Sequence, residues 1–311
     1  MRFIFHLLGS YVAIVIAALA AGMAWPEQLK GLNAWSTFFL QIIFFLSSLK
    51  LDTHAIIRGM KEWRAVLLVN LNMLIDFPIA TFFVARIIAP DYAFALTLLA
   101  AMPAGMTSAL FTDIVGGATE FALVLSATTS LLSTITIPFI IQVLLGSTVV
   151  LPVSKIFLTL VYVFVIPFAC AQIVRHLLHD RIKATYVTFK PISLVLLGLL
   201  IAGIVAMQAG SIRATSALVI PAIIILCVFF AILHVVGYWT APWLHHGKRL
   251  ATTICLTYMN FTLAIYLAGT FFPEPSILIP IILSVFPWSL SLIPFQKWAQ
   301  RMRMDVQGNG Y

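Results

Sequence analysis

Apolar runs of about 20 residues, the length that crosses a bilayer core as a helix, follow one another along nearly the whole chain. Ten can be counted, at roughly 6–25, 32–49, 64–88, 93–115, 119–146, 155–178, 188–208, 216–240, 250–270 and 276–297, and the stretches joining them are too short for a separate soluble domain. They are apolar all round, as in "ISLVLLGLLIAGIVA" (192–206), whereas the strands of a membrane barrel alternate every second residue. Only 9% of the 311 residues are charged, and a mean hydropathy of +1.08 lies far above that of a soluble domain. The sequence therefore predicts an all-α polytopic membrane protein with ten transmembrane helices. The first run lacks a small-x-small site before "AWPEQLK" and is expected to stay as a helix.

Basic residues collect on the cytoplasmic side of a membrane because their translocation is unfavourable. With ten spans, all but Lys30, Arg86, Lys155 and Arg213 of the 18 Lys and Arg residues fall on one side. Both termini are then expected in the cytoplasm, with the chain in a bacterial inner (plasma) membrane. The net charge of +8 and the pI near 9.6 follow from this topology and need no nucleic-acid partner. Cys170, Cys227 and Cys255 all fall inside spans, so no disulfide framework is implied.

Many secondary transporters consist of two related halves. The segment "MPAGMTSALFTD" (102–113) is polar and helix-breaking, and the offset between the halves leads from it to "TTICLTYMNFTL" (252–263), also unusually polar for a span. They stand at matching places in residues 1–150 and 151–311, and five spans in each half would make the repeats inverted. Pro103 removes a helix hydrogen bond and Gly105 permits unusual dihedrals. Such breaks are tolerated at bilayer depth only where protein or a water-filled cavity surrounds them. The freed backbone groups, with Thr107, Ser108 and Thr112 nearby, are one candidate binding site. The alternative is a simple kink with small packing residues.

Ser126, Ser130 and Ser133 recur at helical spacing, with Thr129 and Thr136 beside them. This stripe points at a neighbour or a cavity, or its hydroxyls bond their own i−4 carbonyls. Asp76 lies mid-span with Asn70 and Asn72 about a turn away, and an ionisable residue there is a functional candidate, here a proton carrier. His234 reads as a packed, hydrogen-bonded ring. His176, His179 and Asp180 have metal-compatible spacing without a second cluster, so neither a metal nor a cofactor is expected. No nucleotide loop or hydrolase elbow occurs, and the chain is not expected to be an enzyme.

"MPAGMTSALFTDIVGGATEFALVLSATTSLLSTITIPF" (102–139) resembles the fourth and fifth helices of the bile acid:sodium symporter family, with Gly117 and Pro138 on that family's glycine and proline. "FFLSSLKLDTHAIIRGMKEWRAVLL" (44–68) resembles the stretch joining its second and third helices. The resemblance implies panel and core domains, with the fourth and ninth helices unwound and crossing beside substrate and sodium. It also marks departures. Ser108 keeps a sodium-ligand serine, but Ala109 replaces the family's asparagine. Ser126 stands for a threonine, and Ala122 for a serine. In "CLTYMN" (255–260), Cys255 stands for a glutamate and Met259 for a glutamine, while Asn260 matches. Asp76 then offers a carboxyl from another helix, as proton carrier or repositioned cation ligand. The "GGATEFALVLSATTSLLSTITIP" stretch also resembles auxin efflux carriers, which work without sodium.

The expectation from the sequence is a secondary active transporter of a small organic anion or bile-acid-like amphipathic substrate, working by alternating access as monomer or homodimer. Substrate contacts are assigned to Pro103, Gly105, Thr107, Ser108, Thr112, Ser126, Ser130, Thr257, Met259 and Asn260. Coupling is assigned to Asp76, Asn72, Ser108, Ser126 and Cys255, with Na+ or H+ as the ion. A sodium-independent carrier and a membrane-embedded ligand receptor are the alternatives.

Overall fold

A computed structural model of the chain describes residues 2–51, 60–105, 107–146, 153–178, 182, 185–215 and 219–308, with side chains from Ala13 to Met302 except Leu145. Regular structure among them is entirely helical. We number the helices α1 (Arg2–Ala24), α2 (Pro26–Ser48), α3 (Trp63–Ile88), α4 (Ala93–Ala100), α5 (Ser108–Ile114), α6 (Thr119–Leu144), α7 (Val153–Leu178), α8 (Tyr186–Met207), α9 (Val219–Trp239), α10 (His246–Thr257), α11 (Phe261–Phe271) and α12 (Pro275–Met302). Among the residues with described side chains, seven helices, α2, α3, α6, α7, α8, α9 and α12, are long and apolar enough to cross a membrane. The runs at 93–115 and 250–270 are each broken, into α4 and α5 and into α10 and α11.

Pro26 and Pro275 open α2 and α12, where a missing N–H costs nothing and the fixed φ suits the first turn. Five-residue π turns interrupt α3 at Asn72–Asp76 and α7 at Val161–Val165, and one closes α6 at Ile141–Leu145. Gly116, at φ 75°, reverses the chain after α5, in the left-handed region where glycine is favoured.

Helix contacts run through the whole bundle. Helix α8 packs on α1 and α2, and α7 packs on α2. Helix α6 lies against α5, α7 and α10, α9 against α10 and α12, α4 against α3 and α12, and α11 against α8. Between apolar helices in lipid, close packing and buried polar pairs supply the attraction. One such pair ties α3 to α6: buried Asn70 donates to the Thr128 hydroxyl at 3.0 Å and to the Val66 carbonyl at 2.7 Å.

Candidate functional site

The two broken segments cross each other. The Gly105 N–H donates to the Tyr258 carbonyl and the Asn260 N–H donates to the Pro103 carbonyl, each at 2.8 Å. These bonds flank an isolated antiparallel bridge between Ala104 and Met259. The Ser108 hydroxyl adds a second donor to the Tyr258 carbonyl at 3.2 Å, and the Ala104 N–H reaches the Thr129 hydroxyl at 3.2 Å. Asn260 then caps α11, its Oδ1 accepting from the Leu263 N–H at 3.1 Å. These backbone groups, expected to be free for a ligand, therefore serve one another, as polar groups buried in an apolar bundle must. Gly105 has no positive φ; its role is the close approach of the two backbones.

A cavity of about 360 Å³ runs from this crossing towards the end of α2. Gly105, Thr107, Ser126, Ser130, Met259 and Asn260 line it, together with the apolar side chains of Phe44, Leu110, Phe164, Phe168 and Trp288. Four other residues assigned to substrate sit behind that surface. Pro103 and Ser108 build the crossing, while Thr112 and Thr257 are fully buried with hydroxyls lacking a hydrogen-bond partner. The hydroxyl stripe on α6 fits both of its readings. Ser130 and Ser133 bond back to the Ser126 and Ser130 carbonyls at 2.7 Å, yet Ser126 and Ser130 also face the cavity, with the buried Ser126 hydroxyl beside the Cys255 thiol.

The residues assigned to coupling separate. Cys255 is fully buried beside the Ser108 and Ser126 hydroxyls, with its thiol 3.8 Å from the Ala122 carbonyl. Asp76 is exposed on the outer face of α3 and Asn72 is half-buried beside it; neither lines the cavity. Helix α3 instead turns Asn70 inward. None of the acidic side chains described lines the cavity, and the described residues include no cluster of metal-ligating type. His179 and Asp180 lie outside the described residues.

Lys50, Lys190, Tyr258 and Trp288 are the residues that the sequence did not single out. Lys50 and Lys190 line the cavity at its accessible end. The fully buried Tyr258 stands at the crossing with its hydroxyl 3.2 Å from both His234 Nε2 and Ser291 Oγ. His234 is indeed hydrogen-bonded, its Nδ1 lying 2.7 Å from the Phe230 carbonyl. Tyr258→Phe is expected to leave the crossing's backbone intact while taking the hydroxyl from His234 Nε2; Ser291 keeps the Trp288 carbonyl at 3.3 Å. The cost is about 1–2 kcal/mol, read as a lowered Tm in thermal denaturation of the purified protein.

Among proteins of known name, the chain is 29% identical over 168 residues to sodium/bile acid cotransporter 7 of Danio rerio, covering 52% of this chain and 50% of that one. It is 30% identical over 157 residues to sodium/bile acid cotransporter 7-B of Xenopus laevis, covering 49% and 46%. A probable chloroplastic sodium/metabolite cotransporter, BASS4 of Oryza sativa subsp. indica, is 29% identical over 149 residues, covering 46% and 34%. The chain thus spans about half the length, or less, of the curated relatives it matches. The profile of one family extends over residues 3–285, taking in both broken segments and the cavity they border, and the chain belongs to that family, the SBF-like CPA transporter family.

Proposed function

We propose that this transporter-family member moves a small amphipathic organic anion across the bilayer by alternating access, with the cavity at the crossing as its substrate chamber. The cavity carries this reading. Its 360 Å³ falls in the range of small-molecule sites, and it begins where two broken helices meet inside an apolar bundle, the arrangement that transporters use for substrate. In the same reading α1 and the two broken pairs join the seven long helices as ten spans, in two inverted repeats of five. Helices α1, α2, α7 and α8 form the panel and the remainder the core. The packing of α8 on α1 and α2 and of α7 on α2 supports the panel, with α7 against α6 where panel and core meet. The lysine and arginine distribution supports cytoplasmic termini.

The cavity and its surroundings favour a carrier that sodium does not drive. A hard cation takes several oxygen ligands, and here the Cys255 thiol lies between the Ser108 and Ser126 hydroxyls, with no acidic side chain among the described residues on the cavity wall. Asp76 lies exposed on α3 and is not among the cavity-lining residues, which supports a carrier without proton transfer through it.

Purified protein in sealed liposomes should accumulate a labelled bile salt or aryl carboxylate equally in sodium and potassium chloride. Its Tm should be the same in the two salts, because an ion that binds only the native state raises stability by mass action. Sodium-specific stabilisation or uptake would overturn the sodium-free assignment. Saturable binding without accumulation would turn the carrier into a receptor. Asp76→Asn is expected to keep whatever pH dependence uptake has; loss of that dependence would restore proton coupling through this residue.

A further inference from the structure

We propose that Lys50 and Lys190 form an anion anchor at the accessible end of the cavity, holding the carboxylate, sulfonate or phosphate of a substrate whose apolar body lies against Phe44, Phe164 and Phe168. The proposal rests on the cavity being the substrate chamber and adds the group that selects charge.

The two lysines come from distant parts of the chain, the end of α2 and the second turn of α8. Side chains from α7 and α8 bind the α2 terminus and bring them together. Gln172 donates to the Ser48 carbonyl at 3.2 Å, the Tyr186 hydroxyl to the Leu49 carbonyl at 2.9 Å, and Arg175 to the Leu51 carbonyl. Leu49 packs with Ala171, Ile182 and Phe189 in a small core of its own. Lys50 is thereby held over the Phe189 ring, its Nζ 5.7 Å from the ring centroid.

Lysines at the ends of spans ordinarily reach outward to water, each on its own path. Here both border one apolar cavity, Lys50 exposed and Lys190 half-buried at its open end, where like charges repel and partial desolvation disfavours their charge, each effect weakened by solvent. No carboxylate among the described residues pairs with either. Burial, and next the Lys190 charge, hold the Lys50 ammonium below the usual lysine range. Such a pair destabilises the empty protein and is relieved by an anion between the two ammonium groups. At the other end of the cavity the polar groups, Thr107, Ser126, Ser130 and Asn260, are uncharged. The cavity therefore matches a molecule with one anionic end and an apolar body.

Wild-type protein, Lys50→Gln, Lys190→Gln and the two arginine variants in nanodiscs supply the test, with cholate, naphthalene-1-acetate and decyl sulfonate as anions and cholate methyl ester and naphthalene-1-acetamide as neutral partners. Each glutamine variant should raise the ligand-free Tm by about 2 °C, by removing repulsion. Each should weaken the anions about tenfold and leave the neutral partners unchanged, while the arginine variants keep anion binding. A lower ligand-free Tm, an equal loss for neutral partners, or no binding of any anion by the wild type would overturn the anchor. Accumulation in liposomes unaffected by the glutamine substitutions would remove the anchor and leave the carrier standing. Charge-selective binding lost in both glutamine variants, without accumulation by the wild type, would keep the anchor and remove the carrier.

Discussion

Gly105→Ala is expected to abolish uptake and to lower the Tm steeply. A Cβ at this position would come within 3.0 Å of the Tyr258 carbonyl oxygen, nearer than side chains approach, and 3.2 Å from the Met259 carbonyl oxygen. Both obstacles are backbone, so no rotamer change relieves them; the two segments must separate. Separation stretches the Gly105 to Tyr258 and Asn260 to Pro103 hydrogen bonds together, along with the Ser108 hydroxyl's bond to Tyr258. Overpacking costs about 1–3 kcal/mol, and each buried polar group left without a partner about 1–3 kcal/mol more. Those amounts approach the whole stability margin of a folded domain. Gly31, which has nothing within 4 Å of its added Cβ, supplies the control: Gly31→Ala should behave as wild type. A wild-type Tm in Gly105→Ala, measured beside that control, would show that the crossing yields and that its contacts are not what holds the two segments together.

The first break was legible because Pro103 and Gly105 interrupt an apolar run, and each has a known local consequence. The second was legible only through the repeat. "TYMN" contains neither proline nor glycine, and α10 ends at Thr257 because Tyr258 and Asn260 give their backbone groups to the other segment. Tertiary pairing decided that boundary. The lysines illustrate a different limit. Residue type and position at the span ends explain Lys50 and Lys190 fully as topological signals, and nothing local indicates that the ends of α2 and α8 meet at a cavity.

Asp76 shows why depth in a span is not the same as place in a site. Periodicity locates the buried face of a helix when the other face is polar. In a helix bordered by lipid both faces are apolar, and the contrast that would orient Asp76 disappears. The same ambiguity affects α6, where the hydroxyl stripe was visible but its division was not. Ser126 and Ser130 face the cavity, whereas buried Thr129 holds the Ala104 N–H. Rarity of a residue type found a candidate; only the packing of α3 against α6 through Asn70 and Thr128 shows which side of α3 faces inward.

Trp288→Ala is the second change with a large expected effect, and it acts on packing rather than on the backbone. Trp288 of α12 is 1% exposed and borders the cavity. Its ring lies 5.2 Å from Phe261, 5.5 Å from Phe111 and 5.8 Å from Tyr258, centroid to centroid, which joins α12 to both broken segments. Truncating a buried tryptophan costs about 3–5 kcal/mol, the loss rising with the void that remains. Here the void would merge with the cavity, so the damage has a specific remedy. Indole is expected to raise the Tm of Trp288→Ala and not that of the wild type, and bulkier anions should then enter the chamber. Trp288→Phe, keeping a ring, should fall between the two. If indole leaves the alanine variant unchanged while the Tm still falls, the surroundings have collapsed into the space. The tryptophan would then be holding α12 against the crossing without setting the volume of the chamber.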